Sequence, residues 1–305
     1  MNFQELKKKS KMGSLTEKLI KQVEKLNSGS GEIRDDERFW KPTLSKKTET
    51  GYAVIRFLPA GADWEDEYVQ MFSHAFQGPG GQWLIENCPT SIGRKCAICA
   101  NNSVDWATGD KQKQNIVRER KRKLSYYANI LVLKDSDSPE NEGTVKIYKF
   151  GKKIFEKIDA ALRPKFQDET PLNPFDFWTG ADFKLKVLKK DGYWNYDSSE
   201  FAPSTELLGG DEAELKKIYS QLHNITELVA ETNFKDYDTL QQRLDLVLGN
   251  TSAPASRKKV DSELQEEIQQ EYDSVNKSAS AKVSDDEDDE DADSALDYFS
   301  KLAAM

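Results

Sequence analysis

The chain is short of the residues that stapled secreted scaffolds rely on. It has 305 residues, with three cysteines and two histidines. An odd number of cysteines, all between positions 88 and 99, is a poor basis for a disulfide framework and a better one for metal binding. No apolar run approaches bilayer length, so no membrane span is expected. Met1-Asn2-Phe3-Gln4-Glu5 lacks the apolar core of a leader, so no secretion is expected. There is no Walker A loop, no G-x-S-x-G elbow and no H-E-x-x-H pair. Carboxylates are plentiful, but no pair stands out from the charged surface. An enzyme is therefore not expected. No repeat of 20–50 residues is visible.

What is abundant is charge. Charged residues make up 32% of the chain and hydrophobic residues 37%, so part of it is not expected to pack. The net charge of -9 is unevenly spread: residues 261–305 carry fifteen acids and three lysines, leaving +3 for the rest. A mildly basic body with an acidic tail is a different object from an acidic protein. The length suits one large or two small domains.

The chain divides into three. Lys7, Lys8, Lys9, Ser10 and Lys11 form a basic run, followed by one apolar helical face at Leu15, Leu19, Ile20, Val23 and Leu26. Asn27 to Gly31 reads as a flexible linker. Residues 1–31 are thus an arm, either a frayed terminus or a contact to DNA or a neighbouring copy. The body, 32–252, opens near Arg38-Phe39-Trp40. Strands are predicted at Tyr52–Leu58, Glu67–Phe72, Gln82–Glu86 and Phe183–Leu188, with turns at Gly78–Gly81 and Asp191-Gly192. Helices are predicted at Ile154–Leu162, Glu212–Glu231 and Asp236–Leu248, the last stopped by Gly249. From 253 to 305 the chain is a tail. Asp285, Asp286, Glu287, Asp288 and Asp289 head an acidic run that cannot bury itself, and a small amphipathic end with Tyr298 and Phe299 follows. It either solubilises the chain or docks on a partner.

His74, Cys88, Cys96 and Cys99 read H-x13-C-x7-C-x2-C. The Cys96–Cys99 knuckle lets two thiolates reach one ion from a tight turn, and Cys88 with His74 completes a tetrahedron. Four protein ligands leave no place for water, so one structural Zn2+ is expected. The bland alternative is free thiols beside an unrelated histidine. A zinc nucleobase deaminase needs H-x-E and P-C-x-x-C; here Phe76 and Lys95 stand at those places. His223 falls in a predicted helix and reads as structural.

The centre of the chain is Lys111 to Lys153. Lys111, Lys113, Arg118, Arg120, Lys121, Arg122 and Lys123 face one acid, Glu119. They run into a strand, Ser125–Leu133, a polar turn with Pro139 and Gly143, and a second strand, Thr144–Phe150, that places Lys146, Tyr148 and Phe150 on one face. Gly151-Lys152-Lys153 then leads into a helix. Cations suit phosphates and ring faces suit unstacked bases. A half-buried hairpin with core tyrosines and solvated lysines is the more ordinary arrangement when this hairpin is taken alone.

Several segments carry a resemblance in order: Ala53-Val54-Ile55-Arg56-Phe57-Leu58-Pro59, Tyr126 with Ala128–Val132, Pro139-Glu140-Asn141-Glu142-Gly143, Phe150-Gly151-Lys152-Lys153-Ile154 and Asn195-Tyr196-Asp197. Together they resemble the single-stranded DNA-binding, helix-destabilising proteins of T-even-type bacteriophages. The resemblance spans arm, body and tail, the tail in character only. It implies an α+β chain with an oligonucleotide-binding (OB) core, five-stranded and barrel-like, a zinc subdomain at about 70–112 and flanking helices. The arm would self-associate through Lys7–Lys11, and the disordered acidic tail would meet partner proteins.

The zinc ligands carry over to His74, Cys88, Cys96 and Cys99. Base-contacting rings carry over to Tyr126, Tyr148, Tyr193 and Tyr196, and cleft cations to Arg56 and Lys121-Arg122-Lys123. Tyr127, Trp194 and Lys152 flank these and join the expected single-stranded DNA site. Val117 and Ile92 stand where family tyrosines are expected, and Trp106 is the nearby substitute. The implied function is cooperative, sequence-tolerant coating of single-stranded DNA in replication, recombination and repair. Partners would be phage polymerase, helicase loader, recombinase and mediator, in the cytoplasm of the infected bacterial host at replication forks. An RNA-binding translational regulator using the same cleft is the alternative.

Overall fold

The computed structural model describes residues 36–250, apart from 46, 167, 191 and 192. The expected arm residues Lys7–Lys11, the Asp191-Gly192 turn and the tail residues Asp285–Asp289, Tyr298 and Phe299 lie outside the described residues. The fold is α+β. Its strands are β1 (Phe39–Trp40), β2 (Thr50–Phe57), β3 (Tyr68–Gln77), β4 (Trp83–Asn87), β5 (Lys123–Asp135), β6 (Val145–Phe150), β7 (Phe183–Lys190), β8 (Tyr193–Asn195) and β9 (Glu200–Phe201). Its α-helices are α1 (Ala97–Ala107), α2 (Lys111–Arg120), α3 (Lys152–Leu162), α4 (Glu212–Tyr219) and α5 (Tyr237–Leu248). Among the described residues no helix is long and apolar enough to cross a membrane.

β5 is the spine. One edge pairs with β6 over Tyr126–Leu131. The other edge is shared: Lys123–Ala128 pair with β3, and Ile130–Asp135 with β2. A register shift between Val54 and Ile55 kinks the β2–β5 ladder. β7 extends the sheet from β2, and β8 and β9 both pair with β7. Among the described residues nine strands are thus hydrogen-bonded, where five were expected.

With neighbours on both edges and layers on both faces, β5 is buried from Ser125 to Val132. Side chains alternate across the sheet, so its two faces feed different cores. Tyr126, Ala128, Ile130 and Val132 pack with Ile55, Phe57, Tyr148, Phe150, Phe183 and Leu185. Tyr127 packs instead with Val69, Met71, Ile147 and Phe234. Leu131 joins Leu58, Val145, Leu215 and Ile218. Asn129, in the middle, is satisfied by the His223 backbone: its Nδ2 donates to the carbonyl at 2.9 Å, and its Oδ1 accepts from the amide at 3.0 Å.

α3 lays Ile154 and Ile158, one turn apart, onto the first core. α5 ends at Gly249, whose φ of 73° suits the left-handed cap. The helix expected over Glu212–Glu231 is shorter. α4 stops at Tyr219, because residues near His223 pair with Asn129 and Asn224 then caps a separate 3-10 turn at Ile225–Val229. His223 therefore lies outside a helix; its Nε2 meets the Val145 carbonyl at 3.2 Å. α1 and α2 were not legible in the sequence. α2 buries only Val117, so it has almost no apolar stripe to read.

Candidate nucleic-acid interface and metal centre

Four side chains converge where β3, the β4 exit and α1 meet. His74 comes from β3, Cys88 follows β4, Cys96 caps α1 and Cys99 lies in its first turn. Their ligating atoms all lie within 4.8 Å of one another. His74 Nε2 is 3.6 Å from Cys96 Sγ and 3.5 Å from Cys99 Sγ, and Cys88 Sγ is 3.6 Å from Cys99 Sγ. The imidazole Nδ1 is 3.2 Å from the Arg120 carbonyl, which can only accept. Nδ1 therefore donates to that carbonyl, which leaves Nε2 as the nitrogen facing the sulfurs, the arrangement found in ligating histidines. Asn102 Nδ2 donates to the same carbonyl at 3.1 Å.

With protons as the only cations, the cluster already behaves as an anionic cage. Burial works against an imidazolium, yet hydrogen bonds to Cys88 and Cys96 and their charge push His74 up to about 9. Hydrogen bonds from Cys96 and Cys99 hold Cys88 far below the usual thiol range, while the same kind of bonds push Cys99 up. This donor set can hold a metal ion.

The basic ridge begins at this cage. Arg118 lies over Trp106 at 5.3 Å, Arg120 over Phe76 at 5.6 Å and Arg122 over Phe72 at 3.9 Å. Three arginines at alternate positions thus each rest on a ring, an attraction of about 0.5–1 kcal/mol at exposed sites. Lys121, Arg122 and Lys123 are all half-buried. Phe72 and Phe76 were missed by the sequence reading, since nothing in their own strand marks them as partners of residues fifty positions away.

A second group lies on the β7–β8 hairpin and α3. Tyr193 is 43% exposed, and Trp194 and Tyr196 are half-buried with centroids 6.4 Å apart. Lys157 Nζ donates to the Asp197 carbonyl at 2.9 Å. The Asp197 carboxyl is lowered by a bond from Asn195 and by the nearby charges of Lys153, Lys157 and Lys190. Lys152 opens α3, 3.9 Å from Glu156. Lys153 was read from sequence only as the entry to a helix, and Lys157 and Lys190 were not singled out, because only the fold brings α3 beside the hairpin.

Four expected interface residues are corrected. Tyr148 is 1% exposed and packs edge-on to Trp40, and Tyr127 is 5% exposed on the opposite face. Tyr126 stacks on Phe155 at 4.1 Å with planes 4° apart, so that ring face is already taken. Arg56 is fully buried, donating to Asp182 at 3.1 Å and to the carbonyls of Asp176 at 3.2 Å and Thr205 at 2.7 Å. The cause is the same for all: these positions face packed layers, whereas Tyr52, Lys134 and Lys149 on the same three strands reach solvent. The half-buried hairpin is the arrangement found.

A cage of one histidine and three cysteines thus stands beside an arginine-on-ring ridge, and the chain's relatives are named for DNA binding. The model of the gp32 DNA binding protein-like family matches residues 49–248. The chain belongs to the gp32-like DNA-binding family. It is 36% identical over 255 residues to the single-stranded DNA-binding protein of Enterobacteria phage T4, covering 81% of this chain and 83% of that protein. The protein of the same name from Enterobacteria phage T2 is 36% identical over 256 residues, with the same coverage. That of Enterobacteria phage RB70 is 34% identical over 116 residues, 37% of this chain and 95% of the relative. The gp32-like match spans both the cage and the β7–β8 hairpin.

Proposed function

We propose that this chain coats single-stranded DNA without regard to sequence, through the two surfaces where cations and rings meet. The observation that carries this is the Tyr193–Tyr196 hairpin beside Lys153, Lys157 and Lys190, within a family of DNA-binding proteins. Trp106, Lys121, Arg122, Lys123 and Lys152 extend the surface. Bases stacking on accessible rings add about 1–3 kcal/mol each while ignoring base identity. A duplex hides its base faces, so the surface traps open strands. No covalent step is required.

The cage is assigned to one structural Zn2+. Bonds of about 2.3 Å to sulfur and about 2.0–2.1 Å to nitrogen in a tetrahedron set the donors about 3.6 Å (N to S) and about 3.8 Å (S to S) apart. Two N-to-S pairs here are 3.5 and 3.6 Å apart and one S-to-S pair 3.6 Å, and all four donors lie within 4.8 Å of one another. When bound, the ion ties β3, the β4 exit and α1 together. The ladder around β5 is read as an OB barrel enlarged by added strands; the kinked, shared edge of β5 supports it.

Residues 1–31 are assigned to head-to-tail self-association on DNA, and 253–305 to recruiting phage replication and recombination proteins in the infected host. Deleting 1–12 should abolish clustering yet spare single-site affinity. Deleting 261–305 should speed association with DNA; unchanged rates would reject shielding of the surface by the tail. The main test is tryptophan and tyrosine fluorescence quenching by matched DNA and RNA strands across a salt series. Affinity should fall steeply with salt for DNA. Salt-independent or absent quenching rejects the proposal, and a tenfold preference for RNA favours a translational regulator.

A further inference from the structure

Arg122 and Cys88 are joined through one hydroxyl. Thr90 Oγ1 lies 3.1 Å from Cys88 Sγ, and the Arg122 guanidinium donates to the same oxygen. A guanidinium can only donate, so the hydroxyl oxygen accepts from Arg122. A metal-bound thiolate can only accept, so in the loaded cage the hydroxyl proton goes to the sulfur. The relay then runs arginine N–H to threonine oxygen, threonine O–H to thiolate.

The charge balance gives this chain a purpose. Three thiolates and a neutral imidazole around a divalent ion leave a net charge of about -1. Cys88 is fully buried, and Cys96 nearly so. A buried charge without compensation is costly. Arg122 is the guanidinium that reaches the cage's hydrogen-bond network, and its plane is seated on Phe72 at 3.9 Å. Two residues earlier, the Arg120 carbonyl accepts from the His74 ring at Nδ1. The start of the basic ridge is therefore held at two points by residues that serve the metal ligands.

We propose that Thr90 and Arg122 are positioning residues of the metal centre, Arg122 as its counter-ion and Thr90 as the relay to the Cys88 sulfur. This rests on the reading of the cage as a zinc site. It assigns Arg122, expected from sequence to contact DNA, a first duty toward the protein's own metal.

The test uses full-length protein loaded with Zn2+ or with Co2+, in the variants Thr90→Val, Thr90→Ser and Arg122→Gln. Zinc transfer to a chromogenic chelator should be 10–100-fold faster in Thr90→Val and Arg122→Gln, the usual cost of losing an outer-shell partner. Thr90→Ser keeps the hydroxyl and should release zinc at the parent rate. The thiolate-to-cobalt charge-transfer band should shift in Thr90→Val and not in Thr90→Ser, a readout that general loosening of the fold does not produce. Release within twofold of the parent in both Thr90→Val and Arg122→Gln overturns the proposal, as does a serine variant as leaky as the valine one. A parent that gives no tetrahedral cobalt spectrum fails the zinc reading itself, a distinct outcome from the unequal variants.

Discussion

Replacing Arg56 separates a structural role from a DNA-binding one. The residue is fully buried and bonded to the Asp182 carboxylate, half-buried itself, and to the backbone carbonyls of Asp176 and Thr205. Burial pulls its pKa below the ordinary guanidinium value, partly offset by Asp182. Arg56→Met keeps much of the volume but leaves the acceptors without their donor. Breaking a buried pair from one side costs about 3–5 kcal/mol. In a domain of this size that is a fall in Tm of about 6–20 °C, at about 2–4 °C per kcal/mol. The crowding is tight: a Cβ added at Gly180 would sit 2.3 Å from the Asp176 carbonyl and 3.0 Å from Arg56 Nη2. The assay is a urea and thermal melt paired with the salt dependence of oligonucleotide binding. One lost phosphate contact would flatten the single-strand log–log salt slope by about 0.7. The expected outcome is a large loss of stability with the slope unchanged. A flattened slope with stability intact would show that Arg56 meets phosphate and that its burial is irrelevant to function.

Two further outcomes follow from buried groups. Burial pushes Tyr127 up to about 12, against about 10 for an exposed phenol. Below about pH 10 both states are neutral and the contribution is whole; it is lost as pH rises toward 12. The loss from Tyr127 amounts to about 2.7 kcal/mol at about 1.36 kcal/mol per pH unit, read as a falling urea midpoint that Tyr127→Phe should reduce but not remove, since burial also pushes Tyr126 up to about 12; an identical fall in the variant refutes it. Chelation of the metal should remove about 4 kcal/mol when free zinc had stood at about 1,000 times Kd. Calorimetry with and without chelator checks this, and an unchanged Tm rejects a structural zinc.

The sequence by itself carried the local chemistry. Cys96 and Cys99 sit three positions apart and Cys88 and His74 lie close by, so the cage needed only short-range geometry. β2, β5, β6, β7 and α5 were legible because β-branched runs and a terminal Gly249 are local signals. Tertiary structure alone decided which faces those strands bury. Tyr126 and Tyr127 are neighbours in sequence yet belong to different cores, and Tyr148 and Arg56 were drawn inward because layers cover both sides of β5. The same packing brought Lys157 to Asp197 and Arg122 to Thr90, pairs 40 and 32 residues apart. Composition names the groups that can bind. Burial, a property of the whole fold, decides which of them face the solvent.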